Sequence, residues 1–220
     1  MTDLETFARG LHVRVCPIYR LDRQRAFLVG TGVPLATDFG EYIITASHVI
    51  DELPDHMLVT AGSKSLVRFP ARILSFEHIE GKTADVDIGL ARLPVEATRD
   101  LSLRYQFTRL EECGLVANYD KFTLYAVVGY PHSRNKPNRQ AMPEIRATPT
   151  FLILREFSDV SRLASSGKRS DVHFALHAPR TKIKGFDWKP VAIPKLQGMS
   201  VSVSTLSDGT MAKIVGGQPA

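Results

Sequence analysis

Short apolar runs rich in β-branched residues recur along the chain, over residues 26–29, 42–45, 57–60, 66–74 and 88–93. Turn-forming residues separate them, as in Thr37-Asp38-Phe39-Gly40 and Ala61-Gly62-Ser63. Runs of this length between turns are what strands of a barrel or sandwich require. Leu11, Val13 and Val15 alternate with His12, Arg14 and Cys16, which extends the strand pattern toward the N-terminus. Ahead of them, Thr2 and Glu5 have capping-box spacing and predict a short helix ending near Gly10. Between residues 94 and 120 the alternation lapses, and this segment reads as a connection. Strand patterns return over 123–128, 148–154, 172–177, 201–206 and 211–215. Polar stretches at 131–143 and 158–171 interrupt them and read as surface loops. No helical stripe is long enough for an α/β architecture. The pattern predicts an all-β fold in two halves.

At 220 residues, with 44% hydrophobic and 23% charged positions, the chain has enough material for a sizeable core without a metal or disulfide framework. Cys16 and Cys113 lie far apart and have no metal-type spacing, and Cys16 reads as a buried free thiol. One disulfide between them is the alternative. The first residues have neither a basic nor an apolar signal region, and no apolar run reaches the ~18 residues of a membrane span. The expectation is a protein of a reducing, cytoplasmic setting with no membrane partner. The formal charge is +5, and residues 134–189 carry 12 Lys/Arg against 5 Asp/Glu. These basic residues are scattered, without the basic–aromatic interleaving of a single-strand binder, so the charge reads as a solvated face and points away from nucleic acid. No pattern reports an oligomeric state.

Candidate chemistry lies in three short segments. The first is Gly30-Thr31-Gly32-Val33 followed by Tyr42-Ile43-Ile44-Thr45-Ala46-Ser47-His48-Val49. A β-branched strand runs into small residues and then a histidine, the side chain best suited to move protons near neutral pH. The second is Asp85-Val86-Asp87-Ile88-Gly89-Leu90, where an acid leads directly into an apolar strand. A carboxylate so placed can orient an imidazole. Asp87 is preferred to Asp85 because it abuts the apolar run. The third is Gly198-Met199-Ser200, where glycine permits a tight turn that aims backbone N–H groups at one point. His173 and His177 are four residues apart on a predicted strand, but no carboxylate or thiolate completes a metal site nearby. They read as ordinary strand histidines.

Taken together, the order His, Asp, Ser and the flanking strands resemble the trypsin-like serine peptidase family, from Gly30 to about Gly216. Val128-Gly129-Tyr130-Pro131 also resembles a stretch common in its bacterial members. The resemblance implies a single domain, residues 1–220, of two six-stranded antiparallel β-barrels. Residues 1–100 would form the first barrel with His48 and Asp87, 101–120 the connection, and 121–220 the second barrel with Ser200. It implies a serine endopeptidase acting on polypeptide substrates through an acyl-enzyme, with catalytic His48, Asp87 and Ser200. The backbone N–H groups of Gly198 and Ser200 would form the oxyanion hole, and no metal or organic cofactor is needed.

Two departures follow Ser200. The family pattern has glycine after the serine, whereas this chain has Val201, a β-branched residue that does not take positive φ cheaply. Only 20 residues follow Ser200, room for a hairpin around Ser207-Asp208-Gly209, so the second barrel is expected to be incomplete. The alternative to an active peptidase is therefore a catalytically impaired trypsin-fold protein acting as a binding or regulatory module.

Overall fold

A computed structural model describes residues 10–22, 25–53, 57–62, 65–70, 72–75, 88–112, 124–131, 147–156, 176–177, 183–184, 190–191, 202–205 and 212–214. Seven strands account for most of the first half: β1 (Cys16–Asp22), β2 (Arg25–Thr37), β3 (Gly40–Thr45), β4 (Met57–Ala61), β5 (Leu66–Pro70), β6 (Arg72–Ser75) and β7 (Gly89–Arg92). They hydrogen-bond in the order β5-β4-β1-β2-β3-β7-β6. The two ends of this path, β5 and β6, are one residue apart in the chain. The path therefore returns on itself as an antiparallel barrel. The run predicted at 66–74 supplies both of these strands.

The thirteen residues of β2 make the opposite corner. Its first part pairs with β1, up to Cys16↔Gly32, and its second part with β3, from Val33↔Ile44 onward. A bulge in the β1–β2 register between Ile18 and Tyr19 adds local twist, which helps the sheet to curl. The β2–β3 turn is held by Thr37, whose hydroxyl accepts the Phe39 N–H at 3.1 Å and donates to the Gly40 carbonyl at 2.9 Å. Cys16, Ile18, Ile43, Leu58, Phe69 and Ala91 form the barrel's core together with Leu101 and Tyr105. Full burial of each large aliphatic side chain contributes about 1.5–3 kcal/mol.

Two parts of this half differ from the sequence pattern. Residues 10–12 are helical and Val13-Arg14 turn, so strand β1 starts only at Cys16. Leu11 and Val15 are both buried while Val13 is 36% exposed. A four-residue spacing across a helix end places Leu11 and Val15 on the same side, which mimics alternation over so short a stretch. The segment read as a bare connection contains α-helix Val95–Ser102, which buries Ala97 and Leu101. It also contains β8 (Thr108–Arg109), which runs parallel to β2 through Leu35↔Thr108. An ion pair between Arg14 and Glu112, in the short 3-10 turn Leu110–Glu112, ties this segment to the residues before β1.

The second half supplies β9 (Leu124–Gly129), β10 (Thr150–Glu156), β11 (Leu176–His177), β12 (Ile183–Lys184), β13 (Pro190–Val191), β14 (Ser202–Thr205) and β15 (Ala212–Ile214). Among the described residues the sheet order is β11-β10-β9-β14-β15, all antiparallel, and β12–β13 form a separate ribbon. Of the hairpin predicted after Ser200, the two strands pair as β14 against β15, and the turn at Ser207-Asp208-Gly209 lies outside the described residues.

The two halves meet along an apolar seam. Val15, Tyr19, Leu28, Val33, Val59 and Ala61 of the first half pack on Val128, Tyr130 and Phe151 of the second. In β1 and β4 these residues alternate with the interior ones, so one face of each strand fills the barrel and the other faces the second sheet.

Candidate functional site

The described part of the site is built around His48. Strand β3 ends at Thr45, Ala46 is still extended (φ −71°, ψ 143°), and a single short helix follows, α1 (Ser47–Asp51). His48 is therefore the second residue of a helix rather than the last of a strand. Its own carbonyl accepts the Glu52 N–H at 3.2 Å, and the Val49 N–H reaches the Ala46 carbonyl at 3.1 Å. Ser47, Val49 and Ile50 are buried beneath the helix, and His48 is half-buried.

Close backbone approaches seat this helix. The position of a Cβ on Gly30 of β2 lies 2.8 Å from both methyl carbons of Val49. Ser47 and Ile50 rest over Gly89, the first residue of β7. Gly89 also stands opposite Thr45 in the β3–β7 register. Because that pair is antiparallel, β7 begins at the end of the sheet where β3 stops and α1 starts. Asp87 is two residues ahead of Gly89 in the sequence, and it lies outside the described residues.

The second half enters through β9 and β14. Ser202, the first residue of β14, pairs with Val128 near the end of β9. Ser200 and Gly198 lie outside the described residues, as do Asp85, Val201 and His173. The structure thus gives the surroundings of His48 and the strands that begin just after Asp87 and Ser200. Tyr130, directly after β9, donates its backbone N–H to the hydroxyl of Thr31 at 2.8 Å. The Thr31 carbonyl in turn accepts the Thr45 hydroxyl at 2.9 Å. Sequence reasoning quoted Thr31 and Thr45 but gave neither a role. The available signal was a polar residue between two glycines in an otherwise apolar strand.

Burial in the seam and inside the first barrel favours neutral groups. Burial pushes the phenols of Tyr19, Tyr105 and Tyr130 upward, and it pushes the Cys16 thiol up to about 12. Cys16 is a free, fully buried cysteine, as its place in the pattern predicted. Arg104 donates to the Gly62 carbonyl at 2.9 Å and lies over the Tyr105 ring at 5.5 Å, at the end of the barrel. Among the described residues no helix is long and apolar enough to cross a membrane.

No protein family matches the chain, and no curated protein is similar to it in sequence. Solved structures are similar in fold. The protease domain of MamO from Magnetospirillum magneticum, in its apo form, is 11% identical, covers 92% of this chain and 82% of its own, and has a TM-score of 0.48. A structure of GrC is 12% identical over 91% of this chain and 87% of its own, with a TM-score of 0.49. The scabies mite inactivated protease paralogue S-I1 is 13% identical over 92% of this chain and 88% of its own, with a TM-score of 0.51. The likeness to the last of these, added to the returning first sheet and the antiparallel second sheet, establishes the all-β chymotrypsin-like architecture.

Proposed function

We propose that this protein is a serine endopeptidase. Ser200 Oγ attacks the carbonyl carbon of a peptide bond while His48 takes its proton. The C–N bond then breaks, and His48 passes that proton to the departing amine. Water, activated by the same imidazole, hydrolyses the acyl-enzyme. Asp87 holds the ring and stabilises its charged form, and the backbone N–H groups of Gly198 and Ser200 receive the oxyanion. The chemistry needs no cofactor, and the substrate is a polypeptide.

The observation that supports this reading is the seating of His48. It sits on a one-turn helix at the end of the barrel, where the strand following Asp87 also begins, in a fold of the chymotrypsin type. A second reading is a trypsin-fold binding module without activity. It is favoured by Val201 after the serine and by the inactivated status in the name of the scabies mite protein. A fluorophosphonate probe separates the two. Labelling of the wild type, lost in both Ser200→Ala and His48→Ala, is the result expected of the peptidase. A well-folded wild type that never labels would leave the binding module as the better account.

A further inference from the structure

We propose that Thr31 is a positioning residue that locks the second sheet to the strand leading into the His48 helix. This rests on the peptidase reading above. Thr31 is wholly buried in β2 between the two halves. Through its hydroxyl it accepts the Tyr130 N–H, and through its carbonyl it accepts the Thr45 hydroxyl. Thr45 is the last residue of β3, and His48 follows on the next turn of chain. On the other side, Tyr130 directly follows β9, to which β14 is paired by Ser202↔Val128, and Ser200 precedes Ser202 by two residues. Two hydrogen bonds therefore connect the strand that leads into the His48 helix to the residue following β9, the strand on which β14 is paired.

The apolar part of the seam explains why a directional bond matters here. Val15, Leu28, Val33 and Val128 bring apolar side chains together there, and such contacts are non-directional and tolerate small shifts of one sheet over the other. The Tyr130 hydroxyl approaches the Val15 carbonyl only at 3.5 Å. The 2.8 Å bond to Thr31 is short and directional, and it is buried, where leaving the amide unpaired is costly. A serine protease divides its triad between two sheets, so the relative position of those sheets sets the distance between base and nucleophile.

Thr31→Val keeps the shape of the side chain and removes the hydroxyl, whereas Thr31→Ser keeps the hydroxyl. In Thr31→Val, the rate of Ser200 labelling and kcat for a peptide substrate should fall about 10- to 100-fold, since a ~1 Å misplacement costs ~100-fold. KM should change less than about threefold, and Thr31→Ser should recover most of kcat. Hydrogen exchange at the Tyr130 amide, which needs no activity, should speed up in Thr31→Val and stay slow in Thr31→Ser. Fast Tyr130 exchange with wild-type labelling would make the bond merely structural and overturn the proposal. Unchanged exchange would overturn it as well. A wild type that does not label defeats the peptidase reading itself and with it the role in catalysis, while the exchange data still report whether the lock exists. If Thr31→Val does not fold, Thr45→Val breaks the same connection at its other bond. Wild-type labelling in that variant would equally refute the idea.

Discussion

The contact between Gly30 and Val49 gives a stability prediction that does not depend on activity. Replacing Gly30 by alanine would place a methyl carbon 2.8 Å from both Val49 methyls, about 1 Å inside ordinary carbon–carbon contact. Overpacking of this size costs about 1–3 kcal/mol, reduced by roughly 0.5 kcal/mol because alanine loses less backbone entropy than glycine. Val49→Ala, at a fully buried site, removes about 1.6 kcal/mol of transfer energy and adds a cavity, for about 2–3 kcal/mol in total. Each change cures the other. Removing the Val49 methyls makes room for the new Cβ, and that Cβ fills part of the hole. The double variant should therefore be only about 2 kcal/mol less stable than wild type, with a coupling energy of about 1–3 kcal/mol. Urea unfolding followed by circular dichroism measures all four corners of the cycle. If the two losses add to within about 0.5 kcal/mol, the α1 helix is not seated on β2 as described. The account of how His48 is held would then be wrong.

Two further expectations concern titratable groups. Cys16 is buried and its thiol pushed up to about 12, so in a Cys113→Ser background the folded protein should not react with a disulfide reagent at pH 8 and should react fully once unfolded. The same shift means that the unfolded chain ionises first, so Cys16 lowers stability as pH rises above about 8.5. Glu112 is held below its ordinary value, chiefly by the Arg14 hydrogen bond. Its contribution is present above the unfolded value of about 4.3 and is lost as pH falls through the lower folded one. The pair is partly exposed, so Arg14→Gln should cost no more than about 1 kcal/mol at neutral pH. That loss should shrink at low pH and in high salt; a loss indifferent to both would mean that packing, not charge, is responsible.

The strands were legible where side-chain alternation or β-branching dominates, as at 42–45, 57–60 and 124–128, because a strand's period of two is local information. What escaped depends on partners far away in the chain. The helix Val95–Ser102 exposes most of its surface and shows the core only Ala97 and Leu101, too thin a stripe to register as a period. Strand β8 exists because β2 offers a free edge at Leu35 and Ala36, which no pattern within Thr108–Arg109 announces. The run at 66–74 read as one strand and folds as two, since β5 pairs with β4 and β6 with β7, partners that no pattern within the run announces. At the site, His48 was found because β-branched residues lead to it, but the helix that carries it is too short to have a signature.

The Gly30-Thr31-Gly32 motif shows how far such local reading goes before structure is needed. Its composition marks a strand whose backbone something must approach closely, but not what approaches or from which side. In the folded protein the alternation of strand faces assigns each residue a separate neighbour. Gly32 faces the barrel interior, where a Cβ would run into Ile43 Cγ2 and stand 3.1 Å from both Cys16 Sγ and Ile18 Cδ1. Gly30 faces Val49 and admits the His48 helix. Thr31, pointing the opposite way, reaches the second sheet through Tyr130. One strand thus has a packing requirement on one face and a docking requirement on the other. Substitutions at 30 and 32 should act on the first barrel alone, and substitutions at 31 on the relation between the sheets. A change at Thr31 that disturbs only barrel stability, with the seam intact, would break that division.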